Sequence, residues 1–405
     1  MPLQAGRSFT FLLHLPIPRL VVLLASVLKP IDDPRMRGKF AETILGWPGA
    51  QVHVAGQGTG DDLPFALTEA FPRINHHDIF WGSRLGLNRL FAQYRYWRLL
   101  RMRPDVVIVH APELLPLTLL WQRLGPGRRF VYDIRENYAL NIRTQRIYRP
   151  WVGRVLAGAL RRIEARAAGR AAGLVLAEAS YADELPFVAA LPPGRVIVLE
   201  NKYQPAPGEV LPTAARSLPG PGEPVRLLFS GTLSELNGVR EALALGQQLH
   251  ATRPGGAHLT LVGYCQQPAL LRELQAAAAA HPAWLTLVGG AAPVPHAAVV
   301  AAIGRSHLGL LPYRPHPSSE RCRPTKLFEY LAHGLPVLVP PNPLWTAPVR
   351  AYHAGLVVDF ADAAATAVAV AVALAADAAF YPQGPPAEAL WAGEAKKLWS
   401  LLRLS

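Results

Sequence analysis

Strand-like and helix-like stretches alternate along the whole chain. This predicts an α/β protein of two Rossmann-like parallel-sheet domains facing each other across a cleft. Three observations carry the prediction. The candidate strands, such as LVVLLAS at Leu20–Ser26 and DVVIVH at Asp105–His110, are apolar without alternation, as strands covered on both faces are. The chain, at 405 residues, is too long for one ordinary core. A Pro/Gly-punctuated segment, QPAPGEVLPTAARSLPGPGEP, interrupts the alternation near the middle. The expected organisation is a first domain at 1–204, a linker at 205–224, a second domain at 225–385 and a terminal helical segment at 386–405 that crosses back to the first domain.

The first domain opens with Leu20–Ser26 as a buried strand. The loop KPIDDPRMR (Lys29–Arg37) follows at its carboxyl end, where binding crevices of open α/β sheets lie. A helix at Lys39–Leu45 and a strand at Gln51–Ala55 come next. GQGTG at 56–60 is a turn and not a dinucleotide fingerprint, because no helix pattern or suitably spaced acid follows it. His76, His77 and Asp78 do not make a metal site, because neighbours in an extended segment point to opposite faces. Arg84–Arg103 reads as a helix mixing arginines with Leu85, Phe91, Tyr94, Leu99 and Met102. Such a helix suits either a membrane surface or a solvated core position. Asp105–His110 and Arg129–Asp133 are buried strands. Tyr148–Arg170 is a second arginine-rich helix, with Trp151, Val155, Leu156, Leu160 and Ile163 as its expected apolar side. Gly173–Ala177 and Val196–Leu199 complete the sheet.

The second domain begins with the strand Arg226–Ser230. Gly231 and Thr232 follow it, and a glycine there lets a phosphate approach the backbone closely. Further αβ units run through Val239–His250, His258–Gly263, Ala269–Ala280, Trp284–Gly289 and His296–Ile303. Then come the strands Leu308–Pro312, Val337–Val339 and Leu356–Asp359. The Ala/Val run Ala363–Ala376 is too short for a membrane span and predicts a buried or interfacial helix. The tail Glu388–Leu404 is amphipathic.

The stretch from Ser318 to Pro340, SSERCRPTKLFEYLAHGLPVLVP, holds the densest chemistry. Pro324 fits the first position of a helix. Gly334 supplies a left-handed end, and Pro336 blocks continuation. A helix N-terminus flanked by Arg321 and Arg323 and carrying Lys326 suits an anion. Glu329, three residues beyond Lys326, can accept from a pair of sugar hydroxyls. Phosphate at one end and a diol one turn on is the layout of a nucleotide sugar.

Composition bounds the rest. Hydrophobic residues make up 51% of the chain, which excludes a disordered protein. The two cysteines, Cys265 and Cys322, make no disulfide framework and point to a reducing, cytoplasmic compartment. The formal net charge is +13. Residues 1–200 carry 26 Lys and Arg against 16 Asp and Glu, a net of +10. This favours an anionic partner of the first half, such as a membrane surface or a charged acceptor. Nucleic acid is not expected, because no RNP-like, zinc-finger or helix-turn-helix pattern is present. The N-terminal run through LVVLLAS reads as a folded strand and not as a leader or span.

PTKLFEYLAHGLPVL and FSGTLSELNGV resemble the donor-domain motifs of GT-B glycosyltransferases, nearest to glycosyltransferase family 4. DVVIVHAPELLPL and FVYDIRENY resemble that family's paired motifs in the first domain. The resemblance implies a retaining, metal-independent transfer of a sugar from a nucleoside diphosphate sugar to a saccharide or lipid-linked saccharide, with no cofactor. It implies donor contacts from Gly231, Thr232, Asn237, Arg321, Arg323, Pro324, Thr325, Lys326, Leu327 and Glu329, with Glu329 on the ribose. His110, Arg135 and Glu136 are the expected catalytic residues, and His110 would contact the transferred sugar. Asp33, Arg35, Glu113 and Asp133 would face the acceptor. Four positions depart from the family: Ala111 stands where an Asp is common, Arg135 where a His is usual, Arg321 where many members carry a Glu, and Asn237 where a Lys is frequent. An epimerase or a non-catalytic scaffold on the same architecture is the competing expectation, and an NAD-dependent enzyme is not expected.

Overall fold

The computed structural model describes residues 20–58, 72–81, 88–144, 148–220, 222–317, 319–376 and 378–404. The run at 1–19, the end of the turn expected at 56–60, the first residues of the expected helix at 84–87 and Ser318 lie outside them, and Gly56 and Gln57 of that expected turn belong to the strand Gln51–Gln57.

Two parallel sheets organise the chain. The first has the strands β1 (Val21–Pro30), β2 (Gln51–Gln57), β3 (Ile74–Phe80), β4 (Val106–Val109), β5 (Arg129–Ile134), β6 (Gly173–Leu176) and β7 (Val196–Val198), in the order β3-β2-β1-β4-β5-β6-β7. The second has β8 (Val225–Thr232), β9 (Ala257–Tyr264), β10 (Leu285–Gly290), β11 (Leu308–Leu310), β12 (Val337–Val339) and β13 (Gly355–Val357), in the order β10-β9-β8-β11-β12-β13. The strand order reverses between β1 and β4 in one sheet and between β8 and β11 in the other. Loops leaving the carboxyl ends of such neighbours diverge and leave a crevice.

By compactness the chain divides after Asp133. Described residues up to Asp133, with 170–172, form one unit; 134–169 and 173–404 form the other. The sequence alone places its boundary at the Pro/Gly-rich segment near 205.

The central strands are buried on both faces. Val22, Leu23 and Leu24 of β1 and Val107, Ile108 and Val109 of β4 have no exposed surface. In the second sheet Leu227 and Phe229 of β8 pack with Leu259 and Leu261 of β9 and Leu245 and Leu249 of the following helix. Burying a side chain of this size contributes about 1.5–3 kcal/mol.

Several elements differ from expectation. β3 is an edge strand that carries His76, His77 and Asp78, and it aligns His77 with Ala55 of β2. The His77 ring stacks on that of His53 at 5.2 Å. Among the described residues no group of His, Cys, Asp and Glu could hold a metal ion. The helix Pro150–Arg170 buries Gly153, Ala157, Ala167 and Ala168, while Trp151, Val155 and Leu156 face outward with the arginines. Small residues let this helix approach its neighbours closely, and its bulky apolar residues are left outside. Asn88–Leu100 behaves similarly, burying Ala92, Tyr96, Leu99 and Leu100 and exposing Leu90, Phe91 and Tyr94. The helix Ala363–Ala375 starts with Asp362 accepting from the Ala365 amide, buries Ala367 and Val370, and exposes Val368 and Val372. Among the described residues no helix is long and apolar enough to cross a membrane.

The terminal helix Trp391–Leu404 lies beside β6. A Cβ at Gly173 would sit 2.5 Å from Leu401, so only glycine lets the helix come this close. Lys202 pairs with the buried Glu394 at 2.7 Å.

Candidate functional site

In the first unit, the loop after β1 and the ends of β4 and β5 build one polar cluster. Asp33 accepts from the Arg35 and Met36 amides and so starts the helical segment Pro34–Ala41. That segment turns Arg35 inward, where Nε and Nη2 donate to the two oxygens of Asp133 at 2.9 and 2.7 Å. His110, immediately after β4, bonds the same carboxylate through Nδ1 at 2.7 Å. Arg35 is 1% exposed and Asp133 and His110 not at all. Burial alone would raise the Asp133 carboxyl. The Arg35 guanidinium and the bond to His110 win and hold it far below the carboxylate range. An ionised carboxylate can only accept, so Nδ1 carries the His110 proton. Phe40 meets His110 edge-on at 5.1 Å and fixes the ring's tilt. Glu113 lies off this cluster, with Arg89 Nη2 at 3.4 Å.

In the second unit, three neighbouring strands carry a glycine as their next-to-last residue. Gly231 of β8, Gly263 of β9 and Gly289 of β10 stand in register across the sheet. All have positive φ, of 113°, 158° and 86°. A Cβ on Gly263 would lie 1.7 Å from the Gly231 carbonyl. The carboxyl edge of the sheet is therefore stripped to backbone, which leaves room for a ligand against it. Lys326 lies over this edge, with its Cε 3.2 Å from where a Gly231 Cβ would be.

Pro324 is the N-cap of the helix Thr325–Ala332 and not its first residue, and its carbonyl accepts from the Leu327 amide. Thr325 and Leu327 form the first turn, and Gly334 has φ of 61° past the last. Glu329, 5% exposed, receives Lys326 Nζ at 2.7 Å on one oxygen and His296 Nε2 at 2.5 Å on the other. Burial pushes the Glu329 carboxyl up, but Lys326 and His296 outweigh it and bring it down to about 2. The carboxylate is thus charged, rigid and an acceptor only.

Behind it runs a second polar chain. His333 bonds the Glu329 carbonyl through Nδ1 at 2.8 Å and Glu209 through Nε2 at 3.0 Å. The Tyr203 hydroxyl donates to the same Glu209 oxygen at 2.6 Å. Glu209 belongs to the segment expected to be only a linker; it braces the helix instead.

The expected cations are all paired. Arg323 Nη2 lies 2.6 Å from Glu200, and its amide donates to Glu178 at 3.0 Å. Arg321, half exposed, pairs with Asp183 at 3.1 Å and reaches Glu184 at 3.8 Å. Asn237 donates to the Thr232 carbonyl at 2.8 Å and shapes the turn after β8.

Next to this segment a cavity of about 180 Å³ is lined by Glu136, Asn137, Asn141, Tyr181, Glu184 and Cys322, among others. Asn137 donates to Glu184 at 2.9 Å and Asn141 to Glu136 at 3.0 Å. Arg135 offers its carbonyl to the Tyr181 hydroxyl at 3.4 Å. Burial and Glu178 push the Cys322 thiol up to about 12, so it stays protonated. Carboxylates and amides in a small recess are groups that hold sugar hydroxyls.

The structure places Gly231, Lys326 and Glu329 side by side in the second unit. The sequence pattern did not single out His296, Tyr203, Glu209 or His333. His296 follows a strand that ends in Gly289-Gly290, and the same strand-end rule that marks Gly231 marks it too.

The geometry can be set beside known proteins. No family model matches the chain, and no curated protein matches it in sequence. Among solved structures it is similar to sucrose-phosphate synthase from Thermosynechococcus elongatus, with TM-score 0.65 and 14% identity over 95% of this chain and 98% of that one. HepE from Anabaena, solved in complex with UDP and glucose, gives TM-score 0.61 and 12% identity over 95% and 99%. The lipopolysaccharide outer core galactosyltransferase WaaB gives 0.56 and 12% over 94% and 99%. The fold of this chain is the GT-B fold.

Proposed function

We propose that this chain is a glycosyltransferase that moves a sugar from a nucleoside diphosphate sugar to a saccharide or lipid-linked saccharide acceptor. The observation that carries the reading is the charged, buried Glu329, held by Lys326 and His296 beside a glycine-stripped strand edge. A diol donating two O–H groups to Glu329 would leave the diphosphate of the same nucleotide near Lys326 and the start of the helix Thr325–Ala332. The solved likenesses to HepE with UDP and glucose and to a galactosyltransferase support a nucleotide sugar as donor.

Chemically, breaking the glycosidic bond places negative charge on the departing diphosphate. Pre-set positive groups lower that barrier without reorganising. Lys326, Arg323 and Arg321 are the side chains assigned to it here, with the backbone at Gly231 and Thr232. Each is already held in place by a carboxylate partner, so the cations are pre-positioned and do not have to be recruited when the donor binds. On this reading the side chains supply the neutralisation and no metal is needed. The cavity at Glu136, Asn137, Asn141 and Glu184 is the acceptor recess. Retention at the anomeric carbon and a role for His110 at the transferred sugar follow the family resemblance, and the net positive first half suits a place at the cytoplasmic membrane face.

The test is thermal shift of the full chain against UDP-glucose, UDP-galactose, GDP-mannose and their free diphosphates. At least one is expected to raise the melting temperature by mass action, and Glu329→Ala should abolish that rise. No shift with any nucleotide, or an undiminished shift in the variant, would sink the reading.

A further inference from the structure

The acceptor recess does not end at Glu184. Asn137, Leu140 and Glu184 also line a second cavity, of about 520 Å³, bounded by Arg143, Arg154, Ala157, Gly158 and Arg161. Arg143 comes from the last turn of the helix Tyr138–Thr144, and the other two arginines from Pro150–Arg170. Arg154, Gly158 and Arg161 are four and three residues apart and share one helix face. Gly158 between them keeps the wall low, since even a Cβ there would come no nearer than 3.7 Å to a side chain, that of Arg162.

Charge sorts these arginines. Arg161 is committed: its Nη2 donates to Asn137 at 2.8 Å and Nη1 lies 3.5 Å from the buried Glu164. Among the described residues, neither Arg143 nor Arg154 has a carboxylate within ion-pair distance. Two uncommitted guanidinium groups in one concave site form a local excess of positive charge. A guanidinium fork matches two oxygens of one phosphate. Beside the arginine face, Trp151 and Val155 are one turn apart and 61% and 63% exposed.

We propose that the cavity at Arg143, Arg154 and Arg161 binds a phosphate or diphosphate group carried by the acceptor. The saccharide end would occupy the smaller recess at Glu136 and Asn141. This deepens the transferase reading and rests on it for the word acceptor, while the anion site itself does not. A phosphate here could come from a lipid-linked saccharide, with Trp151 and Val155 against the lipid, or from a soluble phosphorylated saccharide.

Calorimetric titration of the full chain with inorganic pyrophosphate and with farnesyl diphosphate tests it. Lys326→Gln removes the competing donor-side contact, and pyrophosphate binding should survive in it. Arg143→Gln and Arg154→Gln should each weaken binding about tenfold, and together about a hundredfold, as loss of charge-assisted hydrogen bonds does. Unchanged binding in the double variant, or complete loss in Lys326→Gln, overturns the proposal. Tighter binding of farnesyl diphosphate that Trp151→Glu/Val155→Glu removes supports a lipid-linked source; equal affinity for both probes supports a soluble one. UDP binding by thermal shift, run on the same double variant, should equal wild type and so reports its folding. If wild type binds no nucleotide yet binds pyrophosphate at these arginines, the donor reading fails and the anion site stands.

Discussion

Replacing Arg35 with methionine leaves the Asp133 carboxylate buried with one of its two partners gone. Both members of this pair are essentially unexposed, and the contact is bidentate at 2.9 and 2.7 Å. Removing one half of a buried pair costs about 3–5 kcal/mol, because a bare charge remains in a poor solvent. Methionine fills similar volume, so a cavity adds little. The pH dependence separates this from a packing defect. In wild type the folded Asp133 carboxyl lies far below its unfolded value. Its stabilisation is therefore present above about pH 4 and is lost as pH falls through the folded value. In Arg35→Met, burial is no longer outweighed, and the folded value is expected to rise above the unfolded one. The variant then loses stability as pH rises. Urea unfolding followed by tryptophan fluorescence at pH 7.5 and pH 4.5 should show the full loss at the higher pH and a smaller one at the lower. A loss below about 1 kcal/mol at pH 7.5, or one independent of pH, would refute the idea that this ion pair holds the cluster.

Gly263→Ala should prevent folding or cost more than about 4 kcal/mol, because its Cβ would overlap the Gly231 carbonyl; circular dichroism melting reads this directly. Gly231→Ala meets only the flexible end of Lys326, so about 1–2 kcal/mol of backbone strain is expected, with weaker nucleotide binding by calorimetry. His296→Ala should leave the melting temperature within a few degrees, since His296 is 52% exposed, but weaken any nucleotide sugar about three- to tenfold by freeing Glu329 to rotate. His333→Ala should cost about 1–3 kcal/mol by urea unfolding, because Glu209 and the Glu329 carbonyl each lose a partner. The Glu209 carboxyl is held low by Tyr203, the Ala206 amide and His333 against its own burial. Its stabilising contribution should therefore be present at neutral pH and fade as pH falls below the ordinary carboxylate range.

Local chemistry made much of the fold readable. Apolar runs such as Val22–Leu24 and Val337–Val339 lie buried in parallel sheets because a strand covered on both faces has no need of polar alternation. Gly334 and Pro336 ended a helix that began beside Pro324, and the spacing of Lys326 and Glu329 fixed their meeting within one turn. The helix Pro150–Arg170 was legible as a helix, yet its buried face was not. Hydrophobicity ranks Trp151 and Val155 above Gly153 and Ala157, whereas close helix packing prefers the small residues.

By itself, then, the sequence determined the alternation of strand and helix, the glycine and proline punctuation, and the carboxylate and lysine that share a turn. These depend on neighbours within a few residues. Only the tertiary structure decided which distant groups share a charge. Arg35 and Asp133 are 98 residues apart and His296 and Glu329 are 33 apart. Sheet order and the paths of the connections between strands bring them within hydrogen-bond distance, and no local pattern encodes that. The same holds for Arg143 and Arg154. In sequence they are two of many arginines; in the fold they line one cavity and, among the described residues, have no carboxylate within ion-pair distance.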